Sequence, residues 1–119
     1  MLKIYEYENC STCRKAIQFL ERRKVAFQRV PIVDKPPSAA ELKRALAGMG
    51  GQLRKLFNTS GLQYRELKIG EKLDTMTEEQ ALKLLSGNGK LVKRPLVLAQ
   101  GDAWVGFNEA EWKKRLKLS

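Results

Sequence analysis

The chain contains no histidine, which excludes a Ser-His-Asp triad, a histidine-ligated metal and an imidazole acid–base pair. Cysteine is nearly as scarce, with Cys10 and Cys13 the only two among 119 residues. A chain of this length buries roughly two-thirds of its unfolded surface and needs no disulfide to hold a core. No apolar run approaches the roughly 18 residues of a membrane span. The opening Met1-Leu2-Lys3-Ile4-Tyr5 reads as a strand rather than an export signal. These absences predict a cytosolic protein, in which a close cysteine pair is catalytic, redox-sensing or metal-binding rather than structural. Acidic residues are also few, 13 against 23 basic ones, for a net charge of +10. Such an excess favours acidic partners or oxyanions, but the charges are spread along the chain. The terminal run of Lys113, Lys114, Arg115 and Lys117 reads as a solvated helix face, so direct nucleic-acid binding ranks last among the functions considered. There are no repeats, linkers or low-complexity tracts.

What is present reads in three blocks. Leu2 to Tyr7 alternates as a strand. Cys13, Ala16, Ile17 and Leu20 then recur at helical spacing, and Val25 to Val33 forms a second strand whose tail is interrupted by Pro31. A strand–helix–strand run of this length is a βαβ unit with parallel strands. From about residue 38 to 87 the pattern is helical. Ser38 with Glu41 and Thr77 with Gln80 are capping boxes, Gly50-Gly51 is a hinge, Leu53, Leu56 and Phe57 mark a short helix, and Asn58-Thr59-Ser60-Gly61 is a turn. The last third is a hairpin, Leu96 to Ala99 and Ala103 to Phe107, followed by a helix capped by Asn108. The order predicts one α/β domain over residues 1–119, with a four-stranded mixed sheet and an inserted helical subdomain. Trp104, Trp112, Phe19 and Phe107 read as core rather than as a base-stacking platform, and Met49 and Met76 as gap fillers.

Cys10-Ser11-Thr12-Cys13 falls between the first strand and the first helix. Residues three apart on a helix share a face, close enough for a disulfide to form with little movement. The amino end of a helix favours an anion and so a thiolate, and Arg14 and Lys15 add positive charge. Cys10, ahead of the helix, is the expected nucleophile, and Cys13, one turn in, the resolving thiol. Two other readings fit the same pair. It is compatible with half of a zinc site, for which the chain offers no further cysteine or histidine, and with two inert core thiols.

The residues Cys10-Ser11-Thr12-Cys13-Arg14-Lys15-Ala16, Pro36-Pro37-Ser38, Lys93-Arg94-Pro95-Leu96-Val97 and Val105-Gly106-Phe107-Asn108-Glu109 resemble the ArsC/Spx family nearly end to end. That family joins arsenate reductases with Spx-type regulators of RNA polymerase. The resemblance implies a thioredoxin-like fold and a cis Arg94–Pro95 bond beside the cysteines. It also implies that Arg94 offers its guanidinium to an oxyanion or to Cys10, with Ser11, Thr12, Arg14 and Pro95 lining the substrate site. No bound cofactor or metal is implied; glutathione or thioredoxin is the expected electron donor, and a small oxyanion or disulfide the substrate. Three departures accompany the likeness. Asn58 and Gly106 stand where the reductases carry two further arginines, and Glu6 stands in place of a histidine. A dianion held by one arginine loses several charge-assisted bonds worth roughly 1.5–3 kcal/mol each, unless Arg54 and Lys55 compensate. The second cysteine and Gly106-Phe107-Asn108-Glu109 resemble the regulator branch, and Gly51 lies near that branch's polymerase contact. The alternative expectation is therefore a redox-switched regulator that binds the carboxy-terminal domain of the polymerase α subunit.

Overall fold

The computed structural model describes residues 1–118. Strand β1 (Leu2–Glu6) leads through α1 (Ser11–Arg22) into β2 (Phe27–Pro31), and the two strands pair in parallel with Leu2 opposite Phe27 and Glu6 opposite Pro31. Strands β3 (Leu96–Ala99) and β4 (Asp102–Val105) form an antiparallel hairpin, and β3 pairs antiparallel with β1. The sheet order is β2-β1-β3-β4. The mixed four-stranded sheet expected from the sequence is thus present. The second strand is shorter than the expected 25–33: it ends at Pro31, whose nitrogen faces the open edge, while the next residue, Ile32, still donates its N–H to Glu6 O at 2.9 Å. As an edge strand, β2 tolerates the proline there.

Side-chain parity along the strands divides the core into two layers. Leu2, Ile4, Val97 and Trp104 face α1, through its Ala16, Ile17, Phe19 and Leu20, and Trp112 of the closing helix α6 (Glu109–Arg115). The ring of Trp112 meets Trp104 edge-on at 5.7 Å and Phe107 at 5.0 Å, so the aromatic residues are core, as their spacing predicts. Tyr5, Leu96, Leu98, Ala103 and Val105 face the opposite way, onto helices from the segment between β2 and β3. Each fully buried aliphatic side chain contributes about 1.5–3 kcal/mol, and both layers depend on strands only four or five residues long.

The segment between β2 and β3 carries α2 (Ala39–Gly48), α3 (Leu62–Glu66), α4 (Ile69–Lys72) and α5 (Glu78–Ser86), with 3₁₀ turns between them. Both predicted capping boxes form, at Ser38/Glu41 and Thr77/Gln80. The pattern did not indicate α3 and α4, since one turn of helix is too short for periodicity to register. The two ends of the segment are stitched together by a bridge between Phe57 and Val92, flanked by Asn58 N–H to Leu91 O at 2.7 Å and Lys93 N–H to Leu56 O at 2.8 Å. That stitch sets residues 58–63 beside residues 90–94. At Gly89 the backbone runs so close to Ile32 that a β-carbon would land on its carbonyl oxygen, and glycine is required there for packing rather than for a turn.

Glu41 ties α2 to the sheet. It accepts from the Tyr5 hydroxyl at 2.8 Å and from Lys3 Nζ at 3.1 Å while completing the capping box with Ser38. Burial pushes its carboxyl upward, but the Ser38 N–H, the Tyr5 hydroxyl and Lys3 outweigh it and leave it below the usual carboxylate value of 4.5. A carboxyl held lower when folded stabilises the fold fully above its unfolded value and loses that contribution as pH falls through the folded one. The urea midpoint is therefore expected to drop between pH 6 and pH 3, and Glu41→Gln to flatten that drop. Parallel acid sensitivity in the variant would remove Glu41 from the account.

Candidate active site at the first helix

Cys10 is the N-cap of α1. Its extended backbone (φ −105°, ψ 112°) presents Sγ to the open end of the helix, where it accepts the Cys13 N–H at 3.3 Å. Serine, threonine or aspartate usually fills this place because their oxygens satisfy an orphan N–H. A sulfur here sits on the positive end of a twelve-residue helix. The loop ahead is fixed by Cys10 N–H to Tyr7 O at 3.0 Å and by Arg14 Nη1 to Glu8 O at 2.9 Å. Cys10 is half-buried, whereas Cys13 is 1% exposed, the order of accessibility expected of nucleophile and resolving thiol. Burial pushes the Cys13 thiol up to about 12, helped by its hydrogen bond to Cys10 and that residue's charge, and opposed by the Tyr7 backbone N–H and the Arg94 guanidinium. Native protein is thus expected to take up one alkyl group from iodoacetamide at pH 8, on Cys10, and two in urea, as counted by mass spectrometry. Equal labelling of both thiols without urea would contradict the burial.

The Arg94–Pro95 bond is cis, as the family resemblance implied. The β1–β3 register pairs Lys3 with Leu98 and Tyr5 with Leu96, and continuing it sets Glu6 across from Pro95 and Tyr7 across from Arg94. The Arg94 guanidinium carbon lies 4.9 Å from the centroid of the Tyr7 ring, in cation–π range. Arg94 also lines a cleft of about 200 Å³ with Asn58, Gly61, Leu62, Gln63 and Lys90. Cys10, Cys13 and Arg94 are therefore brought to one place. Ser11 and Thr12 occupy the first turn of α1, Ser11 exposed and Thr12 half-buried, and Pro95 is buried, its carbonyl accepting Gly106 N–H at 2.8 Å. Arg14 is exposed on α1, and its hydrogen bond to Glu8 makes it a brace for the loop.

The other cations and anions considered from sequence are engaged elsewhere. Arg54 donates to the Tyr64 hydroxyl at 3.0 Å and pairs with Asp74 at 3.5 Å. Together with Lys55 and Lys93 it borders a separate groove of about 410 Å³ floored by Met49, Phe57 and Val105. Glu6 is 9% exposed and pairs with Arg29 at 3.3 Å, so its charge is compensated across the sheet. Of the terminal basic run, Arg115 is structural: it binds Asp102 at 3.0 Å, Glu111 at 2.9 Å and Gly48 O at 2.8 Å. Among the described residues no three or more Cys, Asp or Glu gather as a metal site, and no helix is long and apolar enough to cross a membrane. Sequence reasoning missed Tyr7, Gln63 and Lys90. The first was readable only as the tail of a strand until the β1–β3 register was known, and the other two reach the site through the Phe57–Val92 stitch.

A parallel βαβ unit with a thiol capping its helix, an antiparallel hairpin beyond it and a cis-proline leading into β3 define a thioredoxin-like fold. Comparison with known proteins narrows this further. The ArsC family model matches residues 5–115, and the chain belongs to that family. It is 42% identical to the uncharacterized protein YusI of Bacillus subtilis (strain 168) over 113 residues, 95% of this chain and 96% of that protein. It is 28% identical to the global transcriptional regulator Spx of Streptococcus agalactiae, covering 93% of this chain and 80% of the regulator. Among solved structures, one described as related to the ArsC family, from Bacteroides fragilis, superposes with a TM-score of 0.89 at 45% identity, covering 95% of each chain. Another, described as a possible arsenate reductase from Streptococcus mutans UA159, gives 0.88 at 36% identity, covering 97% of this chain and 98% of that one.

Proposed function

We propose that this protein is an arsenate reductase-like thiol–disulfide oxidoreductase of the cytosol, in which Cys10 is the nucleophile and Cys13 the resolving thiol. The observation that carries the reading is the Cys10 sulfur seated as N-cap above a buried Cys13 that hydrogen-bonds to it. Cys10 thiolate attacks one sulfur of a disulfide substrate, and the other sulfur leaves as a thiolate. Cys13 then attacks Cys10 Sγ, the second thiolate leaves, and a Cys10–Cys13 disulfide has passed two electrons to the substrate. Glutathione or thioredoxin returns the electrons. Ser11, Thr12, Arg14 and Pro95 border the reacting sulfurs, and Arg94 offers them its charge.

A disulfide suits this site better than arsenate. The cleft that Arg94 lines holds one further cation, Lys90, and Asn58 contributes an amide where the family resemblance implies an arginine in the reductases. Gly106 has no side chain to contribute, and its φ of +82° would strain any replacement. Glutathione-coupled turnover on hydroxyethyl disulfide is expected to exceed turnover on arsenate by at least about tenfold, the effect of one missing charged hydrogen bond. Equal or faster arsenate turnover would reverse the substrate assignment.

A second reading, a redox-switched regulator that binds the polymerase α subunit, is favoured by the likeness to Spx and by the paired cysteines. No turnover on either substrate, together with capture of the α carboxy-terminal domain that changes between dithiol and disulfide forms, would replace the enzyme by the switch.

A further inference from the structure

We propose that Tyr7 is a positioning residue: its ring holds the Arg94 guanidinium where that charge reaches the Cys13 sulfur, and through Arg94 it speeds the step in which Cys13 closes the disulfide. The proposal rests on the dithiol-exchange reading above and assigns a residue to its second step.

Tyr7 links both cysteines to Arg94. Its carbonyl accepts the Cys10 N–H at 3.0 Å, its backbone favours the ionised Cys13 thiol, and its ring lies under Arg94 at 4.9 Å. The pairing follows from register, because β1 and β3 continued by two residues set Tyr7 and Arg94 opposite each other. An arginine on a flexible stem spends much of its time in water, whereas a guanidinium stacked on an aromatic face is held in one orientation.

The two chemical steps differ in what they ask of this pair. In the dithiol, burial and the Cys10 sulfur together keep the proton on Cys13. When Cys10 Sγ is bonded to the substrate's sulfur it no longer carries charge, and its hold on that proton ends. Of the charged groups acting on Cys13, Arg94 then remains, assisted by the Tyr7 N–H and opposed by burial. Cys13 releases its proton to solvent and its sulfur attacks Cys10 Sγ. The bond from Cys10 to the substrate sulfur breaks, and that sulfur departs with the electron pair. The first step frees the second, and the guanidinium that favours it is oriented by Tyr7.

The test uses the full chain and a neutral dipyridyl disulfide, which avoids any charge recognition by Arg94. Stopped-flow absorbance separates the two thiopyridones released, the first reporting Cys10 and the second Cys13. Tyr7→Leu is expected to lower the ratio of second- to first-phase rates by about fivefold, the scale of one partly buried cation–π contact. It should also move the pH midpoint of the second phase upward, and Tyr7→Phe should restore both. In an Arg94→Ala background the same Tyr7→Leu change should have no further effect. Should Tyr7→Leu not fold, fluorinated phenylalanines at position 7 keep the shape and deplete the ring face, and the ratio should decline in step with fluorination. A Tyr7→Leu effect undiminished without Arg94, failure of Tyr7→Phe to restore the ratio, or a flat fluorination series would overturn the proposal. An unchanged ratio beside a normal wild-type second phase overturns it alone. Absence of a second phase in the wild type overturns the dithiol reading and this assignment with it.

Discussion

Cys10→Ser is expected to slow reaction with the dipyridyl disulfide by about a thousandfold or more, equivalent to ~4 kcal/mol of barrier, while leaving the fold intact. The two halves of that result have separate causes. Serine is among the best N-caps, so its oxygen can accept the Cys13 N–H that the sulfur now accepts, and thermal stability should hold. The hydroxyl is not ionised and does not exchange with disulfides, so the chemistry has to pass to Cys13. That thiol is 1% exposed, and burial, the largest of the causes that raise it, stays in place when the Cys10 sulfur is gone, so it is poorly accessible and largely protonated near neutral pH. Cys13→Ser should behave in the opposite way. The first thiopyridone appears, the second does not, and a mixed disulfide on Cys10 accumulates and is visible by mass. Full reactivity in Cys10→Ser would make Cys13 the nucleophile and exchange the two roles.

The architecture and the sulfur pair could be read from the chain because both rest on local rules. The βαβ start, the two capping boxes, the hairpin and the closing helix each occupy a contiguous stretch whose period or end signal is self-contained. Cys10 and Cys13 are likewise neighbours on one turn. Arg94 came from likeness to a family rather than from its own surroundings, and Tyr7 did not emerge at all, because their meeting depends on how β1 pairs with β3 across ninety residues of chain. Lys90 and Gln63 belong to the same class, since a bridge between Phe57 and Val92 brings them to the cleft. Charge was the least informative signal. Arg14, Arg54 and Arg115 each carry an attractive cation in sequence, yet the first braces a loop, the second joins Tyr64 and Asp74, and the third locks two elements together.

That lock yields the largest expected loss of stability, in Gly48→Ala. Gly48 is the last residue of α2, where alanine would ordinarily improve helix propensity by about 1 kcal/mol. Here the helix runs so close to β4 that an added β-carbon would land on the Ala103 carbonyl oxygen. Neither side can yield easily. The Gly48 carbonyl accepts Arg115 Nη2 at 2.8 Å, Arg115 also grips Asp102 at 3.0 Å, and Arg44 donates to the carbonyls of Ala99 and Asp102 from the same helix. Moving α2 outward would loosen these bonds and thin the layer in which Leu42, Ala45 and Leu46 are buried. Overpacking at a backbone contact costs about 3 kcal/mol, and for a chain of this size that lowers the melting temperature by about 12 °C. Gly87→Ala is the matched control. It too lies at a helix end, as the C-cap of α5, its φ of −91° suits any residue, and a β-carbon there meets only the carbonyls of Lys83 and Leu84 at 3.6 and 3.7 Å. Its effect should be neutral or stabilising by about 0.5 kcal/mol. If calorimetry found both variants melting like the wild type, the close seat of α2 on β4 would be a contact the fold can relax, and glycine would have no packing reason to stand at position 48.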